Sequence, residues 1–388
     1  MTGRLAIAVG LVGALGWIGL IWLGVTLYRT DPPTAGFDLE LLLRAGRAVA
    51  AGRSPYDAAI VAGAAPVAER LFYSYPPVVA QAMSLVAGIP SAAVLVLWDA
   101  TAVAGLALVS GGLVRRFAPT LSASSVAWLV AALVPLMFPL AIGLLFGNLD
   151  VFFPLLYGLM LLAMAEPSAS ADAAQGGVAT AVAGLTKLHP GSMGLWFLVR
   201  APASRVARAV VVTAIVAALV ILAISVLVGG TQPWLDYLAV VRAGSGADLV
   251  DPRNAGPAAQ LALVVGGGGE SAETLARNLQ ILVTLAALAV MAVASRALRD
   301  PVESLTWAAA ASLVILPVTW YHYPSALIPF ALAALLRSRA SPQARTTQLL
   351  IVASAFIAAI AIAWLPLLYV AVGLLLAGVR VSQRARAA

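Results

Sequence analysis

The chain has one lysine and two histidines, and two of these three stand two positions apart in the apolar stretch "GLTKLHPGS" (184–192) as Lys187 and His189. Every other cationic side chain is an arginine. Placing a charged group in an apolar helix costs about 2.5–3.5 kcal/mol, so such a residue meets a partner, a cavity or a substrate. A compact ammonium suits a phosphate oxygen, and the alternative is pairing with a carboxylate such as Asp99 or Asp150. The second histidine, His322 in "TWYHYP" (319–324), is either a hydrogen-bonded packing residue or a donor to a phosphate or sugar oxygen. The fourth group is Asp38, near the head of "FDLELLLRAGRAVAAG" (37–52). It is either the N-cap of that helix or a carboxylate free to accept a proton.

These groups sit in a membrane protein. The 388 residues are 62% hydrophobic and only 10% charged, against roughly 25% charged in a soluble domain. Apolar runs of about 20 residues, the length that crosses a bilayer as a helix, recur from end to end and leave no soluble domain. The absence of cysteine rules out disulfides and thiolate metal sites. Two histidines far apart in sequence disfavour a zinc cluster. The net charge of +7 lies mostly at helix ends, which reads as membrane topology and not as nucleic-acid binding.

Polar breaks divide the chain into twelve expected spans, at 5–28, 91–113, 121–144, 149–165, 177–189, 191–204, 207–228, 276–295, 303–319, 322–336, 348–363 and 365–380. The fifth and sixth, split by His189-Pro190-Gly191, are either two short spans or one broken element. The first run, after Arg4, is too long for a signal core and is read as an uncleaved helix. With both termini inside, most arginines fall on the inner side, among them Arg115, Arg116, Arg200, Arg205, Arg296, Arg337, Arg345 and Arg380, and most acids fall outside. The reading is one integral membrane domain over 1–388 with two sizeable outer segments, 29–90 and 229–275. Pro77 to Gly88 is too short to span and is expected to lie at the outer interface. The four glycines at 266–269 open no nucleotide fold and read as a flexible link.

Within the first outer segment, Glu40, Arg44 and Arg47 recur at i, i+4 and i+7 opposite Leu39, Leu42, Leu43 and Val49. That spacing predicts an amphipathic helix lying in the interface plane, with a Glu40–Arg44 pair. "GRSPYD" (52–57) reads as a turn with a structural Asp57, after which a helix restarts toward Arg70. The aromatics of "LFYSYPPVV" (71–79) suit the membrane boundary or the stacking of a sugar.

In order along nearly the whole chain, "FDLELLLRAGRAVAAGRSPYD", "FYSYPP", "IP" (89–90), "LW" (97–98), "FGNLD" (146–150), "GLTKLHP", "RNAGPAAQL" (253–261) and "PVTWYHYP" resemble the blocks of glycosyltransferase family 87, of the GT-C fold. The chain departs from that pattern in lacking a serine beside Asn254 and in having one histidine in "YHYP". The resemblance implies an all-α polytopic membrane protein, a polyprenyl-phosphate sugar donor and a lipid-linked glycan or phosphatidylinositol mannoside acceptor, with no cofactor or metal. Known relatives include mannosyltransferases and an arabinofuranosyltransferase, so mannose is the expected sugar and arabinofuranose the alternative. The resemblance favours Asp38 as general base over Asp38 as cap. It places Lys187, His189 and His322 at the donor phosphate, and Tyr75, Asn148, Asp150 and Asn254 at the sugar or acceptor. The expected site is extracytoplasmic, on the plasma (inner) membrane, and the transfer inverting. The competing reading is a twelve-helix secondary transporter with Lys187, His189 and Asp99 at a midplane site; a non-catalytic lipid-binding scaffold is the third.

Overall fold

The computed structural model describes residues 3–64, 72–165, 170–244, 248–267 and 269–387. Among these the chain is helical throughout, without strands. The first half runs α1 (Gly3–Tyr28), α2 (Phe37–Ala50), α3 (Ala58–Val61), α4 (Pro77–Ser84), α5 (Ser91–Phe117), α6 (Ala123–Leu133), α7 (Phe138–Phe146), α8 (Phe153–Ala165) and α9 (Ser170–Thr186). The second half runs α10 (Leu188–Gly191), α11 (Met193–Arg200), α12 (Arg205–Gly229), α13 (Gln232–Gly244), α14 (Pro257–Gly266), α15 (Gly269–Ala297), α16 (Pro301–Ser312), α17 (Ile328–Ser338), α18 (Ala344–Ile360) and α19 (Leu367–Ala387).

Among the described residues four helices, α1, α5, α12 and α15, are long and apolar enough to cross a membrane. The expected span 121–144 is not one straight helix. It is broken between α6 and α7 by a 75° bend, where Pro135 and Pro139 remove backbone donors on either side of Met137. Counted as one span, that bent pair is the fifth. The expected span 303–319 is helical only as α16, and 322–336 starts as a 3₁₀ turn, Tyr323–Leu327, before α17.

The segment around Lys187 is a hairpin. Gly184 and Gly191 approach so closely that a Cβ built on either lies about 3 Å from the other's Cα (3.1 and 2.9 Å), whereas seven residues of continuous helix would hold them about 10 Å apart. Lys187 sits at the reversal in extended conformation, φ −154° and ψ 140°. The chain therefore resolves the expected fifth and sixth spans into two arms, α9 packed on α8 and α12, and α11 packed on α15.

One end of the bundle carries the short helices α2, α3, α4 and α13, which share a core of Leu39, Leu42, Leu43, Tyr56, Tyr73, Met83, Leu149 and Tyr237. Leu39, Leu42 and Leu43 are essentially fully buried, each contributing about 1.5–3 kcal/mol relative to exposure in water. The expected amphipathic helix is thus α2, with its Glu40–Arg44 pair at 3.2 Å and a second pair from Arg47 to Glu40. The segment expected at the interface after Pro77 is the eight-residue α4, packed on α2. Asp57 is structural, accepting from the Ala59 amide at 2.9 Å as the cap of α3. The helix expected to continue toward Arg70 lies partly outside the described residues.

The opposite end of the bundle is stapled by ion pairs Arg116–Asp172, Arg337–Asp300 and Arg380–Glu303. Between the two ends lies the central core around Phe153, Tyr157, Trp196, Phe197 and Phe330. The glycine run lies between two packed helices, α14, which ends at Gly266 and is capped by Gly267 (φ 64°), and α15, which starts at Gly269 (φ 73°); Gly268 lies outside the described residues.

Candidate active site

Asp38 is not the cap of α2. Gly36 occupies that position in left-handed conformation, φ 72°, and no side chain caps the helix. Asp38 is left half-buried, and its Oδ2 accepts a hydrogen bond from Nδ2 of Asn148 at 2.7 Å. Among the described residues Oδ1 has no protein hydrogen bond. Burial pushes the Asp38 carboxyl above the ordinary aspartate value, while the charges of His322 and Lys187 and the Asn148 hydrogen bond pull the other way.

Asn148 sits at a built turn. Gly147 ends α7 at φ 65°, and a Cβ there would lie 2.6 Å from Cβ of Leu39. A glycine is needed at this position on both counts. Asn148 then caps the 3₁₀ turn Leu149–Phe152, its Oδ1 accepting from the Asp150 amide at 2.9 Å. The same asparagine side chain therefore holds Asp38 through its donor and Asp150 through its acceptor. The Asn148 carbonyl accepts from Nε1 of Trp98 at 3.3 Å.

Asp150 is the hub of the cluster. It is 1% exposed, and Nζ of Lys187 donates to both of its oxygens at 2.9 Å. Nε2 of His322 lies 3.0 Å from its Oδ2. Of the two partners open to Lys187 in sequence, Asp150 is the one it takes. A buried carboxylate needs such partners, because desolvation of an unpaired charge costs several kcal/mol.

Aromatic rings wall Lys187 and His189. Nζ of Lys187 stands 4.4 Å from the ring centroid of Tyr323 and 5.8 Å from that of Tyr75, distances at which the ring quadrupole attracts an ammonium. His189 is fully buried, stacked on Tyr323 at 4.6 Å and edge-on to Phe153 at 5.4 Å. Among the described residues neither of its ring nitrogens has a hydrogen-bond partner. Tyr75 is fixed from behind, its carbonyl accepting from the Tyr56 hydroxyl at 2.9 Å and its ring 5.7 Å from that of Tyr73.

Asn254 has a different setting. It is fully buried, and its side chain is consumed by backbone groups. Nδ2 donates to the carbonyls of Pro317, Asp248 and Leu249 at 2.9, 3.2 and 3.3 Å, and Oδ1 accepts from the amides of Gly256 and Thr319 at 2.8 and 3.0 Å.

The structure thus gathers Asp38, Asn148, Asp150, Lys187 and His322 into one connected cluster with Tyr75 on its wall, puts His189 behind Tyr323, and uses Asn254 inside a loop junction. Sequence reasoning missed Tyr323, the ring shared by Lys187 and His189. Its signal was present, an aromatic directly after a histidine in an otherwise apolar segment. Among the described residues no three His, Cys, Asp or Glu side chains group as a metal site.

A cluster of this kind, an acid with a free oxygen next to a neutralised pair of ions at one end of a helical bundle, is equipped to move a proton beside an anionic group. Comparison with curated proteins gives no match. The family model that matches is Glycosyltransferase family 87, over residues 73–319. That stretch contains Tyr75, Asn148, Asp150, Lys187, His189 and Asn254; Asp38 and His322 lie outside it and enter the cluster by geometry. The match covers well over half of the chain, which is therefore a membrane protein belonging to glycosyltransferase family 87.

Proposed function

We propose that the protein transfers a sugar, mannose in preference to arabinofuranose, from a polyprenyl-phosphate carrier to a hydroxyl of a lipid-linked glycan, with phosphatidylinositol mannosides among the candidate acceptors. The reaction runs on the extracytoplasmic face of the plasma membrane, within a bundle of about twelve spans whose termini are cytoplasmic. The observation that carries this reading is the Asp38–Asn148–Asp150 linkage, which ties a carboxylate with a free oxygen to the Lys187 ammonium and the His322 imidazole.

In this scheme Oδ1 of Asp38 takes the acceptor's hydroxyl proton. The acceptor oxygen bonds to the anomeric carbon, the carbon–oxygen bond to phosphate breaks, and the electron pair leaves with the polyprenyl phosphate. Direct displacement inverts the anomeric centre. A base of this kind is worth about 10²–10⁴ in rate, more effectively as its pKa approaches the working pH, which is the direction in which burial moves Asp38.

Lys187 and His322 stabilise the departing phosphate. Two of the three ammonium donors of Lys187 point to Asp150, leaving one for a phosphate oxygen, and Asp150 holds Lys187 and His322 in place before the donor arrives, so little reorganisation is needed in the transition state. Tyr75 offers its ring to the sugar. His189 acts behind Tyr323 as packing for the cation wall, and Asn148 and Asp150 orient the reacting groups. The test is a transfer assay with purified protein in lipid nanodiscs, supplied with polyprenyl-phosphate mannose or polyprenyl-phosphate arabinofuranose and a panel of lipid-linked acceptors. Product from the mannose donor supports the full reading, product from the arabinose donor alone corrects the sugar, and uptake into proteoliposomes without transfer contradicts it.

A further inference from the structure

We propose that Asn254 is a positioning residue that holds His322 in the active site by locking the second outer loop to the strand of chain leading into it. The proposal rests on the reading of His322 as a donor contact. Five hydrogen bonds of one buried amide tie together residues 248–256 and 317–319. A sixth, backbone to backbone, runs from the Ala255 amide to the Thr319 carbonyl at 2.7 Å. Three residues after Thr319 comes His322.

The junction is braced on both sides. The Tyr369 hydroxyl donates to the Ala255 carbonyl at 2.6 Å, and the Tyr321 hydroxyl donates to the Ala358 carbonyl at 2.6 Å. The latter fixes the residue adjacent to His322 against the end of α18, and Ala255, Tyr321, Ala361 and Leu368 form one small apolar core. Segment 313–319 has no helix of its own to hold it, so buried backbone carbonyls and amides there need side-chain partners. An asparagine supplies donor and acceptor together; an aspartate or a leucine of similar size supplies one or neither. With the amide gone, the loop is free to shift and the 3.0 Å approach of His322 to Asp150 loses its anchor.

Two measurements on the full-length protein test this. The chain has only two histidines, so isotope labelling of histidine gives an NMR spectrum with two imidazoles. Asn254→Ala should move the ring signals of His322 and leave those of His189 in place; unmoved His322 signals overturn the proposal. In the transfer assay, Asn254→Ala should lower kcat about tenfold with KM within about twofold, yet change kcat less than about twofold in a His322→Gln background, since residues acting as one unit are non-additive. Equal losses in both backgrounds show a general structural role and overturn it. His322→Gln with wild-type turnover overturns the donor-contact reading by itself, and the histidine spectrum then still decides whether Asn254 holds His322. Should Asn254→Ala fail to fold, Asn254→Asp, which keeps the acceptor oxygen and removes the three donor bonds, takes its place in both measurements with the same criteria.

Discussion

Nδ2 of Asn148 donates to Oδ2 of Asp38 at 2.7 Å across 110 residues of sequence. That single bond joins helix α2 to the turn that presents Asp150, orients the proposed base and favours its charged form against the larger effect of burial. A general base works only when ionised, so with Asp38 in the proposed role activity falls as pH drops through its pKa. Burial holds that pKa above the ordinary aspartate value, and the Asn148 bond favours the charged form. Asn148→Ala therefore shifts the acid limb of the kcat/KM profile to higher pH as well as lowering the plateau. An acid limb that stays put or moves to lower pH contradicts the assignment.

Gly147→Ala tests the same turn without touching a polar group. The new methyl would meet Leu39 at 2.6 Å in a backbone conformation that disfavours any side chain, a strain of about 1–3 kcal/mol. Relief requires α2 to move and carry Asp38 with it. The expected result is a loss of transfer larger than the loss of thermal stability in detergent would explain; wild-type transfer counts against the turn as a positioning device.

Lys187→Met removes the principal partner of a carboxylate that is 1% exposed. Breaking a buried ion pair from one side costs about 3–5 kcal/mol, so the melting temperature should fall clearly. The double variant Lys187→Met/Asp150→Leu should recover part of that loss but none of the activity. Equal melting temperatures for Lys187→Met and the wild type indicate that the pair is not formed.

Much of this architecture is legible in the sequence. The apolar and charged faces of α2 follow from the spacing of Leu39, Leu42 and Leu43 against Glu40, Arg44 and Arg47, and burial of the three leucines makes the prediction robust. The bend between α6 and α7 was less visible, because an unbroken apolar run masks Pro135 and Pro139 unless their two-sided loss of amides is weighed. Asp38 looked like a cap because aspartate often is one. What displaces it is the left-handed Gly36 two residues earlier, a property of backbone conformation. Lys187 could have paired with either of two aspartates, and only the hairpin at Gly184–Gly191 brings it to Asp150. Asn254 read as a ligand contact because its true partners are main-chain groups, which leave no mark in sequence.

The sidedness proposed for the site can be checked directly, since the chain has no cysteine of its own. Ala64 and Ala340 are exposed, one in the segment after α3 and one after α17, at the end that carries Arg337 and Asp300. Single variants Ala64→Cys and Ala340→Cys in intact cells should react with a membrane-impermeant maleimide at Ala64 only. Labelling of Ala340 alone inverts the topology and moves the site to the cytoplasm.

The most direct test of the central claim is the single-turnover rate of sugar transfer by Asp38→Asn beside the wild type, with donor binding measured on the same preparations. Removal of the base should slow transfer by about 10²–10⁴ while donor affinity changes little. A variant that transfers within about threefold of the wild-type rate contradicts the claim that Asp38 accepts the proton.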